Sequence, residues 1–474
     1  MGNSLSEHAV SHLGAIKNHF DENFELTPQA LSYRAILARY YNLLIPRGST
    51  VLEVGCGSGE LLARLPRRQR CGVDISAKQI ALAREKLPDG EFFVQAAEEL
   101  ALPGRTFDYL VLSDAVNLAA DVHKIFHQLR SVSHDKTRLL LNLHSTLWRP
   151  LVELATALKI RRPYPACNWL SKEDLRALLE LAGWEPIRFE SRILFPIGLF
   201  GLEHFLNRFI APVLSPFCLV LFCVARVQPK VRREVNKSVS VVIPARNEAG
   251  NIEGAVLRIP QLGLSTELIF VEGHSTDNTW QRIVEEQKKH CDRKIKIHRQ
   301  TGKGKGNAVR EGFDLAEGEI LMILDADLTM PPEDLPKFYD ALVEGHCEFA
   351  NGSRLVYPMD EKAMRFLNLC ANKAFSVIFS WLLGQSVKDT LCGTKVLYRD
   401  DYRRIADNRN YFGEFDPFGD FDLLFGASKQ NLKILDIPIR YKERTYGDTN
   451  IQRWKHGWLL LQMVAFALRK LKFV

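Results

Sequence analysis

No two of the nine cysteines in this 474-residue chain (Cys56, Cys71, Cys167, Cys218, Cys223, Cys291, Cys347, Cys370, Cys392) form a CxxC pair, and none sits at a metal-ligand spacing. That excludes a zinc ribbon and argues against a disulfide framework. The thiols read as buried groups of a protein in a reducing compartment. The N-terminus "MGNSLSEHAV" lacks a basic segment followed by an apolar one, so no signal peptide is expected; it does carry the short myristoylation pattern at Gly2 and Ser6. Long apolar runs are also missing. Phe209–Ala225 is uncharged but contains Pro212 and Pro216, and Trp458–Leu468 is shorter still, so neither reaches the roughly 20 residues of a spanning helix. Strong charge of one sign is absent too. A net charge of +7 suits anionic ligands or a lipid surface but is too small to argue for nucleic acid. These absences point to a cytoplasmic protein.

An apolar content of 46% with 25% charged residues is that of a globular chain, and the length predicts two or three domains. In both halves short β-branched runs alternate with longer helical segments, which predicts α/β domains with parallel sheets flanked by helices. The polar, basic stretch "VQPKVRREVNKSVS" (Val227–Ser240) interrupts this rhythm. It places a domain boundary near Lys230, giving domains 1–229 and 230–474.

The first half is organised around "STVLEVGCGSGELLARL". A strand meets Gly55, Cys56, Gly57, Ser58 and Gly59, then a helix; glycines there let backbone approach a ligand closely. A second strand, "CGVDIS", ends in Asp74, where a carboxylate can take two ribose hydroxyls. With Glu53 before the turn and Asp74 after it, this half resembles the class I S-adenosylmethionine-dependent methyltransferases, which have a Rossmann-like fold. The resemblance implies that Gly55, Gly57 and Gly59 line the methionine part of the cofactor, that Asp74 holds the ribose, and that Glu53 orients the loop and the cofactor's amino group. It continues through "FDYLVLSDAVNL", whose end, at Asp114, should face the methyl group, and through "NWLSKEDLRALLELAGWE" to about Arg226. One departure is Ala96, at the end of the third strand, where the family has an acid near the adenine. A scaffold that binds cofactor without turnover is the alternative for this half.

In the second half, "VSVVIPARNEAGNI", "ELIFVEGHSTDNTW" and "GKGKGNAVREG" precede "ILDADLTMPPEDL", in which a strand runs into Asp325 and Asp327. A strand-end pair of carboxylates can hold a hard divalent ion, and that ion can bridge a diphosphate. Lys305 is followed by Gly306, so the glycine-rich stretch is not a P-loop. With "NGSRL", "VKDTLCGTKVLYR", "FGDFDLLF" and "IPIRYKERTYGDTNI", the stretch from Ser238 to about Phe473 resembles the family-2 glycosyltransferases of the GT-A nucleotide-diphospho-sugar transferase fold. Within them it looks most like the dolichol- and polyprenyl-phosphate mannosyl- and glucosyltransferases. The resemblance implies a bifunctional enzyme of cell-envelope glycan chemistry. Pro244, Arg246, Glu248, Glu272, Lys305 and Asp325 would contact the nucleotide sugar. Asp325 and Asp327 would hold Mg2+ or Mn2+, and Arg354, Arg365 and Arg444 would bind the phosphate of a polyprenyl-phosphate acceptor.

This half departs from the family in Glu272-Gly273-His274, where many members read Asp-Asp-Gly, and in Thr329, where mannosyl members often have glutamine. A phosphate acceptor needs no general base. A saccharide hydroxyl, the alternative acceptor, would need one, and Asp389 and Asp422 are the candidates. The apolar run between Arg453, Lys455, Arg469, Lys470 and Lys472 suits a helix lying peripherally in the inner face of a membrane, though a packed C-terminal helix explains it equally well. "LFPIGLFGLEHFLNRFIAP" (Leu194–Pro212) is a second stretch of this kind.

Overall fold

The computed structural model describes residues 7–22, 27–65, 69–158, 167–196, 201–229, 236–354, 366–409, 420–442, 446 and 453–473, apart from the side chains of 7, 8, 366–371, 420 and 453–458. Gly2, Ser6, Lys230, Arg365 and Arg444 therefore lie outside the described residues. The chain divides into two compact units, residues 1–228 with 471–474, and residues 229–470.

Seven strands build the sheet of the first unit: β1 (Thr50–Val54), β2 (Gln69–Asp74), β3 (Glu91–Val94), β4 (Phe107–Ser113), β5 (Ser133–His144), β6 (Trp184–Arg192) and β7 (Val220–Val227). Their order is β3-β2-β1-β4-β5-β7-β6. Both faces are covered, as the side-chain period of two requires. Leu52 and Val54 join one cluster with Leu110 and Leu112. Val51 points the other way and joins Tyr41, Val111 and Leu140. β7 runs antiparallel to both β5 and β6, which corrects the expectation of a purely parallel sheet. A strand buried on both faces is a continuous apolar run whichever way it points, so its direction is not written in its pattern.

The second unit repeats the plan with β8 (Val239–Ala245), β9 (Thr266–Glu272), β10 (Lys294–Arg299), β11 (Ile320–Ile323), β12 (Phe349–Ser353), β13 (Lys395–Tyr398) and β14 (Ile434–Pro438). The order is β10-β9-β8-β11-β13-β12-β14. β13 alone among these runs antiparallel to its neighbours, so its first residue lies at the edge where the other strands end. The C-terminal helix Arg453–Ala467 buries Leu460, Met463, Val464 and Ala467. That i, i+3, i+4, i+7 face is packed, which favours the packed-helix reading of this segment. Lys472, one of its flanking cations, is buried and paired with Glu190. Among the described residues no helix is long and apolar enough to cross a membrane.

Candidate functional sites

In the first unit the ends of β1, β2, β4 and β5 meet at one edge of the sheet. Gly55, Gly57 and Gly59 all adopt positive φ, which glycine alone takes without strain. The amides of Gly55 and Cys56 both bond the Val73 carbonyl, at 2.7 and 3.1 Å, so the turn folds over the end of β2. Asp74 holds it there: one carboxylate oxygen accepts the Gly57 amide at 2.8 Å and the other the Ser76 amide at 2.9 Å. Burial raises the Asp74 pKa despite these bonds.

Glu53 is fully buried, and neither of its carboxylate oxygens has a hydrogen-bond partner among the described residues. Burial, reinforced by Asp74 and only partly offset by Arg34 and by the nearby Leu62 backbone amide, pushes its pKa up to about 8. A buried carboxyl with no partner beside a glycine turn is complementary to an ammonium, so this site fits the amino group of S-adenosylmethionine. Cation binding should then ionise Glu53 and release a proton. We expect affinity for S-adenosylmethionine to rise between pH 6 and pH 8 and the rise to vanish in Glu53→Gln, both read by calorimetry in buffers of different ionisation enthalpy. The sign for folding is opposite. The folded-state pKa lies above the ordinary value of 4.5, so stability contributed by protonated Glu53 is full below about pH 4.5 and lost as pH rises to about 8.

Asp114 follows β4 with φ 56°. It accepts from Asn142 Nδ2 at 2.6 Å and from the Tyr33 hydroxyl at 3.3 Å, and His144 Nε2 lies 3.9 Å away. Burial, with Asp114 beside it, lifts the Tyr33 pKa well above the ordinary tyrosine value. Sequence reasoning found Asp114 but missed Tyr33, Asn142 and His144; the end of β5 beside β4 was the signal available. Glu98, in the region where an adenine-contacting acid was lacking, is buried and accepts the Ala120 amide at 2.8 Å.

In the second unit Asp325 stands just beyond β11, where Leu324 bonds the Val242 carbonyl of β8 at 3.0 Å. Its Oδ1 pairs with Lys305 Nζ at 2.6 Å. Burial alone would raise its pKa, yet Lys305, Lys395 and Arg354 hold it below the ordinary carboxylate value. Asp327 Oδ1 accepts the backbone amide and hydroxyl of Thr329, at 3.1 and 2.9 Å. Thr329 is thus a positioning residue for this carboxylate. The Asp325 and Asp327 carboxyl groups are hard oxygen donors of the kind that Mg2+ or Mn2+ takes. Among the described residues no three metal-ligating side chains cluster.

Lys395, fully buried at the start of β13, bonds the Cys392 carbonyl. Gly393 lies against the Asp325–Lys305 pair so tightly that a methyl group there would overlap Asp325 Oδ2 and Lys305 Nζ. Gly393→Ala should therefore disrupt the pair, and the sugar transfer that the resemblance to family-2 glycosyltransferases implies should fall far more than thermal stability, a split that rates and melting curves on one preparation would show.

The loops after β8 and β9 interlock. Asn247 Oδ1 accepts the Thr276 amide at 2.8 Å, Thr279 Oγ1 the Glu248 amide at 2.9 Å, and Glu272 Oε1 the Ser275 amide at 2.5 Å. Glu248 and Glu272 are buried within these loops, Glu248 accepting Asn251 Nδ2 at 2.7 Å, whereas Arg246 is exposed and Pro244 half-buried.

Arg354, beyond β12, grips Asp389 through Nε and Nη2 at 2.7 and 2.9 Å and lies over the Tyr441 ring. Despite burial, Arg354 holds the Asp389 pKa below the ordinary carboxylate range. Asp422 pairs with Arg409 at 2.9 Å. Next to Asp389, the Asn351 amide donates to the Asp389 carbonyl at 2.9 Å and to Asp436 at 2.6 Å. Asp436 does not stand out in the sequence, and Asn351 does so only as the first residue of "NGSRL"; the parallel pairing of β12 with β14 sets them side by side.

With this geometry in view, residues 29–188 match the family model for a methyltransferase domain, and residues 240–405 match that for glycosyl transferase family 2. The chain is 29% identical over 221 residues to a dolichol-phosphate mannosyltransferase of Pyrococcus furiosus, covering 45% of this chain and 59% of that one. It is 28% identical over 214 residues to a polyprenol monophosphomannose synthase of Mycolicibacterium smegmatis, covering 44% of this chain and 78% of the relative. A solved S-adenosylmethionine-dependent methyltransferase of Thermotoga maritima, described as a possible histamine N-methyltransferase, aligns with 45% of this chain and 98% of its own at 16% identity and TM-score 0.36.

Proposed function

We propose that this chain, a methyltransferase domain followed by a family 2 glycosyl transferase domain of GT-A-like fold, is a bifunctional enzyme acting on lipid-linked glycans. Its second domain transfers a sugar, with inversion, from a nucleotide diphosphate to a polyprenyl phosphate. Its first domain binds S-adenosylmethionine and transfers the methyl group to a second acceptor. Along the sequence the boundary between the two domains is placed near Lys230.

The observation that carries the sugar-transfer reading is the state of the acids at the sheet edge. Asp325 is kept ionised by three cations. Asp389, which a hydroxyl acceptor would require as base, is closed in a two-pronged pair with Arg354 and held acidic by it. A carboxylate so stabilised is a poor proton acceptor, and Asp422 is likewise paired. An acceptor phosphate is already an anion and asks for no base. The Asp325–Asp327 pair would hold the divalent ion, whose charge offsets that developing on the departing diphosphate. Lys305 adds a cation on the same side. Thr329 fixes the Asp327 carboxylate, and Gly393 leaves the room in which Lys305 and Asp325 meet. Arg354, with two of its five N–H donors on Asp389, offers a guanidinium that suits a phosphate oxygen. Glu53 and Asp74 in the first domain would bind the cofactor's amino group and ribose, and Asp114 with Tyr33, Asn142 and His144 would orient the methyl acceptor.

The reading is tested by offering labelled nucleotide sugars together with undecaprenyl phosphate, undecaprenol or an oligosaccharide. Label is expected on the lipid phosphate alone. Label on the oligosaccharide would establish the hydroxyl-directed alternative.

A further inference from the structure

The helix Arg149–Ala157 has no buried residue. It rests on the core of its unit through Val152 and through Trp148 just before it. Its other side carries Leu151 and Leu154, flanked by Leu147 in the 3-10 turn before it and Leu158 at its C-cap, and all four are 54–61% exposed. Their i, i+4, i+7, i+11 spacing places all four on one narrow stripe. Isolated exposed leucines are ordinary; a continuous stripe on a helix with no buried residue is an interaction face.

A second apolar face lies beside it. Phe205, Phe209, Val213 and Phe217 are 39–66% exposed along Leu202–Phe217. Trp148 Nε1 donates to the Phe217 carbonyl at 2.8 Å, tying the start of the first segment to the end of the second. Charge favours one occupant. Between Leu147 and Arg162 the sequence has four cations, Arg149, Lys159, Arg161 and Arg162, against the single acid Glu153; the last three cations lie outside the described residues. Glu153 is paired with Arg149 at 2.7 Å. At nine residues the helix is far too short to span a bilayer, whereas an apolar stripe followed in the sequence by Lys159, Arg161 and Arg162 suits burial in a headgroup region.

We propose that this double face of the methyltransferase unit docks on an anionic phospholipid surface. The inference rests on exposure and charge in the first unit and does not depend on the sugar-transfer reading.

The test uses the full chain and sedimentation with sucrose-loaded vesicles of phosphatidylcholine with phosphatidylglycerol. These contain no polyprenyl phosphate, so failure of the sugar-transfer reading cannot alter the outcome. Leu151→Glu/Leu154→Glu and, independently, Phe205→Glu/Val213→Glu should each lower the partition coefficient at least tenfold. Leu181→Glu, at a leucine 75% exposed elsewhere on the unit, should leave it unchanged. Matching circular dichroism melts would show that the variants fold, as substitutions at exposed positions should. The proposal is overturned if wild type does not bind the vesicles, if it binds phosphatidylcholine alone equally well, or if both pairs sediment like wild type. It is also overturned if ultracentrifugation shows that the wild type dimerises through this face and the variants do not.

Discussion

Asp327→Asn should lower sugar transfer by roughly 10²–10³-fold while leaving the fold intact, the scale seen when one preorganised electrostatic contact to a transition state is removed. The substitution keeps the side chain's shape, and an amide oxygen can still accept from Thr329, which bonds Asp327 through its amide and its hydroxyl. What is lost is the carboxylate that the proposed mechanism sets under the diphosphate. Asp325→Asn should cost at least as much, because it also removes the partner of Lys305. Rates at saturating donor, read with the melting temperature, separate this from a folding defect. Near-wild-type transfer by Asp327→Asn would reduce the acidic pair to a turn.

The second large effect is on stability. Asp389 is fully buried and Arg354 nearly so, and they are joined by two hydrogen bonds. Asp389→Ala should destabilise the second unit by about 3–5 kcal/mol, because it strands a guanidinium in the interior. Arg354→Ala should do the same by stranding a carboxylate, so loss of transfer in that variant does not by itself identify a phosphate contact. Arg354→Met/Asp389→Leu, which leaves no orphaned charge, should recover much of the stability but not the activity. Urea unfolding of the four proteins, followed through the transition of the second unit, gives the cycle. A double variant no more stable than the singles would mean that the pair is held by something other than charge.

The two sites were legible in the sequence to the extent that their parts are close along the chain. Gly55, Gly57, Gly59 and Asp74 span one strand–turn–helix–strand unit, and Asp325 and Asp327 one strand end, so glycine spacing and a broken apolar run marked them. Lys395 and Gly393 were harder to see. They reach Asp325 because β13 enters antiparallel beside β11, and a buried strand has the same apolar pattern in either direction. Arg354 and Asp389 each stood out, one as an acceptor cation and the other as a base, but their pairing across 35 residues did not. The C-terminal helix shows a further limit: Leu460, Met463, Val464 and Ala467 would look alike facing lipid or core, and in the structure they face core.

The central claim is metal-dependent transfer of a sugar to a polyprenyl phosphate, and the most direct measurement follows labelled sugar into the organic phase. The purified full chain is given undecaprenyl phosphate and a panel of labelled nucleotide sugars, with Mg2+ or Mn2+, with chelator, and again with Asp327→Asn. The account predicts lipid-borne label from at least one donor, its loss with chelator, its return when the metal is restored, and almost none with the variant. Label that enters the lipid equally well in chelator, or with Asp327→Asn at the wild-type rate, would contradict it.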